Sequence, residues 1–175
     1  MGWSYWRLEK NLTRRSSATL SLKGEGIRKE DIFTMPDEKP KKYAKPLPHI
    51  DEEIRPWWEA LKRHELYVLK CRDCGYIRYY PRALCTNCQS SKTEWLRCSG
   101  RGTIYTYTVT HQNQAPGFRE SLPYVMAYVD LDEGLKMLTN IVDCPPDQVK
   151  IGMPVEVVYE DVTPEVTLAK FRPAR

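Results

Sequence analysis

The sequence predicts a mostly β protein in which an N-terminal arm and one helix precede a small cysteine-rich ribbon and a five-stranded barrel. Three observations carry this prediction. Two Cys-x-x-Cys pairs lie within residues 71–88, apolar side chains recur at helical spacing over residues 51–66, and apolar and polar side chains alternate from residue 102 onward. A period of two is typical of strands, so most of the structured residues should belong to β-sheet.

The first 50 residues carry the basic character of the 175-residue chain. They contain 11 Lys and Arg against 6 Asp and Glu, a net charge of +5, whereas residues 51–175 contain 16 against 17, a net charge of −1. Four prolines fall in this segment, yet Trp3, Tyr5 and Trp6 stand close together near its start. We predict an extended basic arm over 1–50 that docks on its own domain or on a partner, and a solvated tail is the alternative.

Residues 51–66, DEEIRPWWEALKRHEL, predict a helix. Pro56 suits the first helical turn, where its missing N–H group leaves no intrahelical hydrogen bond unmade. Trp57, Trp58 and Leu61 follow at helical spacing, which places them on one face. We interpret the tryptophan pair as core packing rather than as a binding site.

Cysteines dominate the predicted zinc ribbon, which we assign to residues 67–99. Each Cys-x-x-Cys pair can fold into a tight turn that directs two sulfurs at one point, and two such turns supply the four ligands of a closed tetrahedral zinc site. No coordination position remains for a substrate, so the zinc is structural. A disulfide framework and a rubredoxin-like iron site are the alternatives. The predicted ligands are Cys71, Cys74, Cys85 and Cys88.

The disulfide alternative requires an oxidising compartment. The first residues, MGWSYWRLEKNL, have no continuous apolar region of the kind that secretory signals contain, and no apolar stretch approaches the roughly 18 residues of a membrane span. We therefore expect a soluble cytoplasmic protein without a membrane partner. In that compartment four closely spaced cysteines favour a metal over disulfides.

Residues 100–175 predict a barrel built from five strands. The alternating segments cover 102–111, 123–131, 135–143, 154–160 and 166–173. In the first of them, the alternation places Tyr105, Tyr107 and Val109 on the same face. A long loop after the first strand and five strands in total favour a small closed barrel of the OB-fold type.

No catalytic set can be assembled from the sequence. The chain has three histidines, and His49 lies in the proline-rich linker while His64 lies on the predicted helix. No Ser-His-Asp arrangement, phosphate-binding loop or open metal site stands out. We therefore predict no catalytic residue in this chain.

The order of several short motifs resembles a known family. A helix with WWEA leads into YVLKCRDCG, which is followed by YPRALCTNC, SGRGTIYTYTV, LPY, VDLDEG and IGMPVEV. These motifs, over residues 52–172, are similar to those of the acyl-CoA-associated OB-fold family that carries an N-terminal rubredoxin-like zinc ribbon. Some members of that family lack the cysteines, so their presence here indicates bound metal.

The resemblance implies a function that the residues alone do not. Members of this family accompany a thiolase-like protein, which supplies the catalytic cysteine and histidines for making or breaking carbon–carbon bonds in acyl-CoA thioesters. The small subunit shapes the coenzyme A channel and holds the partner in a hetero-oligomer. The long arm departs from shorter members of the family, and the chain is most similar to the small subunit of benzoylsuccinyl-CoA thiolase, from anaerobic toluene degradation.

Two groups of residues are candidates for contact with coenzyme A or with the partner. Guanidinium groups suit phosphates because they form paired hydrogen bonds, and the loop after the first barrel strand lies where OB-folds commonly bind ligands. A solvated surface is the alternative for both groups. The candidates are Arg72, Arg78 and Arg82 in the ribbon, and His111, Phe118 and Arg119 in the loop.

A nucleic-acid-binding module is the alternative function, because zinc ribbons and OB-folds both occur in such proteins. Exposed tyrosines would supply platforms on which bases stack. Against this, residues 51–175 lack the basic excess that a phosphate backbone requires. The strand alternation also predicts that many of these tyrosines lie in the core, so we expect no nucleic acid partner. The tyrosines concerned are Tyr105, Tyr107, Tyr124 and Tyr128.

Overall fold

The computed structural model describes residues 43–175. The predicted arm over 1–50 therefore falls mostly outside the described residues, together with its three N-terminal aromatic side chains. The last part of the arm, residues 43–50, has no regular secondary structure and contacts the loop after the first barrel strand at Gly117 and Phe118; we call it the strap. No helix within residues 43–175 is long and apolar enough to cross a membrane.

Helix α1, Arg55–Lys62, is shorter than the predicted helix over 51–66. At its start, the Asp51 carboxylate accepts hydrogen bonds from the backbone N–H groups of Glu53 and Ile54, which favours a turn before the helix. At its end, His64 has a φ of 57°, and the N–H groups of His64 and Glu65 donate to the carbonyls of Leu61 and Ala60. This left-handed ending, a Schellman motif, stops the helix before residue 66.

The ribbon contains a three-stranded antiparallel sheet in the order β2-β1-β3. Its strands are β1 (Tyr67–Cys71), β2 (Ile77–Arg78) and β3 (Thr93–Arg97). The central strand β1 follows α1 and ends at the first cysteine of the ribbon. The sheet therefore connects the helix directly to the cysteine-rich turns.

Five strands close into a barrel in the order β4-β5-β6-β8-β7, and this confirms the predicted OB-fold. They are β4 (Arg101–Thr110), β5 (Tyr124–Leu131), β6 (Leu135–Ile141), β7 (Pro154–Asp161) and β8 (Thr167–Pro173). All neighbours are antiparallel except β6 and β8, which run parallel and pair at Ile141 and Phe171. The Thr139 hydroxyl adds a bond of 3.0 Å to the Ala169 carbonyl across this short seam.

Helix α1 covers the barrel beside the seam. Its buried side chains Trp57, Trp58 and Leu61 belong to the same apolar core as Met137 of β6 and Phe171 of β8. The tryptophan rings meet edge to face at 4.9 Å. The interpretation of the tryptophans as core packing is therefore confirmed.

The alternation predicted for β4 is wrong at one point. The register between β4 and β5 shifts between Ile104 and Thr106, so a β-bulge lies at Tyr105. Ile104 points into the core, the bulge adds one residue, and Tyr105 becomes 54% exposed instead of sharing the half-buried face of Tyr107 and Val109. The extra residue of the bulge explains the change of face.

The expectation that many of the four tyrosines lie in the core is also wrong. Tyr105 and Tyr128 are exposed, and Tyr107 and Tyr124 are half-buried. Over residues 124–129 of β5 both alternating sets of side chains are apolar or aromatic, but a barrel this small has one inward face. Val125, which is 2% exposed, and its inward-facing neighbours fill that face, so the tyrosines of β5 point outward.

Candidate functional site

The four predicted ligands converge on one point. Their sulfur atoms all lie within 4.8 Å of one another, with 3.6 Å between Cys71 and Cys88 and 3.6 Å between Cys74 and Cys85. Zinc–sulfur bonds of about 2.3 Å in a tetrahedron place neighbouring sulfurs roughly 3.8 Å apart, whereas a disulfide needs about 2.05 Å. The arrangement fits a tetrahedral metal and does not fit disulfides.

The two cysteine turns repeat the same backbone hydrogen bonds. The N–H of Cys71 donates to the carbonyl of residue 76, and the N–H of Gly75 donates back to Cys71. In the second turn the N–H of Cys85 donates to residue 90, and the N–H of Gln89 donates back to Cys85. Gly75 and Gln89 occupy equivalent positions with φ of 72° and 61°, so each turn requires one left-handed residue.

Hydrogen bonds prepare two of the sulfurs for metal binding. The backbone N–H of Tyr76 and then the Asn87 side chain lower the pKa of Cys74 to about 6. The backbone N–H of Cys88 and that of Asn87 also lower the pKa of Cys85. Thiolates are the species that coordinate zinc, so these donors favour the ligating form at neutral pH.

The thiol of Cys88 is shifted in the opposite direction, toward its protonated form. The backbone N–H of Ser90 acts to lower its pKa, but the neighbouring sulfur of Cys74 and burial outweigh it and raise the pKa of Cys88 to about 12. Four sulfurs at this spacing cannot all ionise without a cation among them. A divalent metal removes that repulsion, which is the behaviour expected of a metal centre.

Charged side chains tie the cysteine turns to the sheet. Asp73 accepts bonds from the Ser90 hydroxyl at 2.6 Å and from Lys92 at 3.3 Å, and these two partners lower its pKa. Arg72 pairs with Glu94 of β3 at 3.2 Å. These contacts link the first turn to the second turn and to the edge of the ribbon sheet.

The three ribbon arginines lie in different environments. Arg72 is exposed and paired with Glu94, and Arg82 is exposed. Arg78 is only 6% exposed, and its Nη2 donates to the Arg82 carbonyl at 2.7 Å. Its Nε and Nη1 are buried without a hydrogen-bond partner within residues 43–175. The structure therefore brings Arg78 to the backbone of Arg82 and leaves Arg72 apart.

The loop candidates divide into two places. His111 and Arg119 line an open cleft of about 550 Å³ with neighbouring amide side chains. Phe118 instead faces the strap, where the Lys45 ammonium lies 5.2 Å from the centre of its ring. The side chain of Phe118 also lies 6.2 Å from that of Tyr124, measured between ring centres. The loop thus presents polar groups on one side and holds the strap on the other.

Sequence reasoning missed an exposed apolar surface on β4, β5 and β6, because it assigned the tyrosines to the core. The signal was present in the segment YVMAYV, residues 124–129, where both alternating sets are apolar or aromatic. Only one set can fill a small barrel, so the other must face outward. The outward side chains are Tyr105, Met126, Tyr128 and Leu138.

Family models match most of the described region. Residues 58–94 match the model described as ChsH2, rubredoxin-like zinc ribbon domain. Residues 95–160 match the model described as ChsH2, C-terminal OB-fold domain. The border between the two matches lies in β3, close to the junction of ribbon and barrel in the structure.

Individual relatives support the same assignment. The chain is 38% identical over 138 residues to a probable enoyl-CoA hydratase alpha subunit of Thermomonospora curvata, covering 79% of this chain and 42% of that protein. It is 38% identical over 112 residues to a DUF35 domain-containing scaffold protein of Methanocaldococcus jannaschii, covering 62% and 77%. The chain therefore spans less than half of the first relative and most of the second.

One solved structure is similar to this chain over the whole of its own length. A chain of the Ltp2-ChsH2(DUF35) aldolase superposes with a TM-score of 0.67 and 37% identity, covering 74% of this chain and 100% of that one. The similarity to benzoylsuccinyl-CoA thiolase subunit BbsA of Geobacter metallireducens is more distant, 33% over 72 residues, covering 41% of this chain and 47% of that one. The chain belongs to the DUF35 family, with the zinc ribbon and OB-fold domains described for ChsH2.

Proposed function

We propose that this chain is a zinc-bearing, non-catalytic scaffold subunit of an enzyme complex that makes or breaks carbon–carbon bonds in acyl-CoA thioesters. The observation that carries the proposal is the similarity to the full length of a chain of the Ltp2-ChsH2(DUF35) aldolase. The catalytic groups belong to a thiolase-like partner in this proposal, and we assign no catalytic residue to the chain itself.

The names of the relatives support acyl-CoA as the substrate class. They include an enoyl-CoA hydratase alpha subunit and a benzoylsuccinyl-CoA thiolase subunit, which differ in reaction but share a coenzyme A thioester. Anaerobic aromatic degradation is the finer proposal, and the limited match to BbsA supports it less than the general role. A scaffold that serves several reactions fits a chain to which we assign no catalytic residue.

Zinc has a structural role in this proposal. Its ligands would be Cys71, Cys74, Cys85 and Cys88, whose sulfur spacing suits a tetrahedral ion with no open position. When bound, the ion holds the two cysteine turns together and contributes folding free energy. The ribbon sheet, which has only three short strands, depends on that contribution.

Coenzyme A contact remains a proposal for the candidate arginines and the loop. Arg119 and His111 line a polar cleft that has room for a phosphate group, and Arg72 and Arg82 lie on the ribbon surface. Arg78 is buried, so we assign it to holding the Arg82 backbone in place rather than to direct contact. Phe118 holds the strap and thereby shapes the loop.

The test is purification of the tagged chain from its source organism, followed by native mass spectrometry, metal analysis and assays of acyl-CoA cleavage. We expect a stable complex with a larger protein that turns over an acyl-CoA thioester, and one zinc per copy of this chain. Iron in place of zinc would change the identity of the metal and leave the proposed scaffold role intact. A lone zinc-bearing chain, or one that carries nucleic acid, would overturn the proposed function.

A further inference from the structure

The outward surface of β4, β5 and β6 carries an unusual cluster of large apolar side chains. Three of them are well exposed, at 54% for Tyr105, 44% for Tyr128 and 43% for Leu138. Met126 lies half-buried between them and the loop end of β5. We call these four residues the aromatic face.

Strand register brings these side chains side by side. Tyr128 of β5 lies directly opposite Leu138 of β6 and, on its other side, opposite Thr106 of β4. The β-bulge turns Tyr105 outward next to Thr106, which extends the apolar surface onto the third strand. Bulges often redirect a side chain in this way at functional surfaces. The aromatic face is therefore continuous across three strands.

A paired charge borders the aromatic face. Lys136 and Asp130 lie opposite each other on β6 and β5 and form an ion pair of 3.3 Å. The Lys136 ammonium also lies 4.3 Å from the centre of the Tyr105 ring. A phosphate backbone would have to compete with the Asp130 carboxylate for Lys136, which disfavours nucleic acid on this surface.

The surface of the same barrel on β7 and β8 carries charged side chains. On β7 and β8 four outward side chains form ion pairs, between Glu156 and Arg172 at 2.8 Å and between Glu160 and Lys170. The contrast shows that exposed tyrosines are not a general property of this barrel. A neutral apolar surface bounded by paired charges is typical of the centre of a protein–protein interface.

We propose that the aromatic face is the docking surface for the catalytic subunit of the complex, and that it contacts an uncharged apolar surface of that subunit. This inference rests on the proposed function. Tyr128 lies at the centre of the face and is the anchor, since buried aromatic side chains near the centre of an interface contribute most to affinity. None of the four residues of the aromatic face is charged, so the face favours contact with an apolar protein surface over an acidic or basic one.

The test uses the complex purified through the tagged chain. The probe is the catalytic subunit recovered from that complex and identified by its acyl-CoA activity, and its affinity for this chain is measured by calorimetry. The test variant is Tyr128→Asp with Leu138→Asp, and the matched control is Val158→Asp, which changes an outward apolar residue of β7. We expect the double variant to bind roughly 100-fold more weakly or worse, with the control close to wild type.

Metal content and melting temperature show whether each variant folds, and Tyr128→Ser with Leu138→Ser replaces the double variant if it does not. Wild-type affinity in a folded double variant would overturn the docking surface and leave the proposed function intact. If no catalytic subunit accompanies the wild-type chain, both proposals fail. If the wild-type chain alone is a dimer that the double variant dissociates, a second copy occupies the face and the assignment is wrong.

Discussion

Gly117 is the point where the loop after β4 touches the strap. Its φ is 82°, and a Cβ atom built there would lie 2.6 Å from both the carbonyl carbon and the oxygen of Ala44. These are backbone atoms, so no side chain can rotate away to make room. Gly117→Ala should therefore lift the strap from the loop.

The magnitude follows from two separate costs. An alanine with positive φ costs about 1 to 2 kcal/mol for backbone strain alone. Forcing an extra methyl group into a close contact costs about 1 to 3 kcal/mol more, unless the strap moves away and loses its own contacts instead. Those contacts include the cation–π pair of Lys45 and Phe118, worth about 0.5 to 1 kcal/mol where exposed.

Gly134 provides the matched control. It lies in the turn between β5 and β6 with a φ of 85°, and nothing lies within 4 Å of a Cβ atom built there. Gly134→Ala should therefore cost only the backbone strain, about 1 to 2 kcal/mol. The difference between the two variants in their loss of unfolding free energy measures how much the contact between the strap and the loop stabilises the protein. We expect this difference to be about 1 kcal/mol or more.

The measurement combines guanidinium unfolding of both variants with NMR order parameters for residues 43–50. We expect Gly117→Ala to be the less stable variant and to show a more mobile strap. Equal free energies of unfolding, together with unchanged order parameters in the strap, would refute the contact between Gly117 and Ala44.

Three further predictions follow from single residues. Cys71→Ser should lose the bound metal in elemental analysis, whereas Cys98→Ser, at a buried cysteine outside the cluster, should retain one zinc per chain. Phe171→Ala should lower the free energy of unfolding by about 3 to 5 kcal/mol in a denaturant titration, because the ring is fully buried at the β6–β8 seam. The hydroxyl of Thr167 and then His64 lower the pKa of Asp161, so its stabilisation is present above its unfolded pKa of about 4 and is lost as the pH falls through the folded value. When the free energy of unfolding is measured at a series of acidic pH values, it should therefore fall less steeply with decreasing pH in Asp161→Asn than in the wild type.

The metal ligands and the barrel were predictable because the signals are local or regular. Cys71 and Cys74 lie three residues apart, a spacing that fits one tight turn, and no distant contact is needed to read it. The barrel strands alternate over seven to ten residues each, which is long enough for the period to be recognised. The existence and number of the barrel strands were predicted for this reason, although the face of β5 that carries the tyrosines was not.

The ends of the helix and the bulge were not predictable in the same way. His64 ends the helix by adopting a φ of 57°, and no glycine marks that position in the sequence. Because Tyr105 is an extra residue in β4, the alternation of inward and outward side chains before it is out of phase with the alternation after it. The pairing of β4 with β5 determines the position of this bulge. Both features depend on tertiary contacts that the local pattern does not encode.

Direct contacts connect the candidate metal centre, helix α1 and the β6–β8 seam, which gives a metal a structural purpose in the proposed scaffold. The Trp57 indole N–H donates to the Tyr67 carbonyl at 3.0 Å, and its ring meets Tyr79 edge to face at 5.7 Å, so both partners come from the ribbon. Trp57 shares the core with Met137 of β6, whose next residue, Leu138, belongs to the aromatic face. A metal that fixes the ribbon therefore also fixes the helix, the seam and the strand that carries the proposed docking surface.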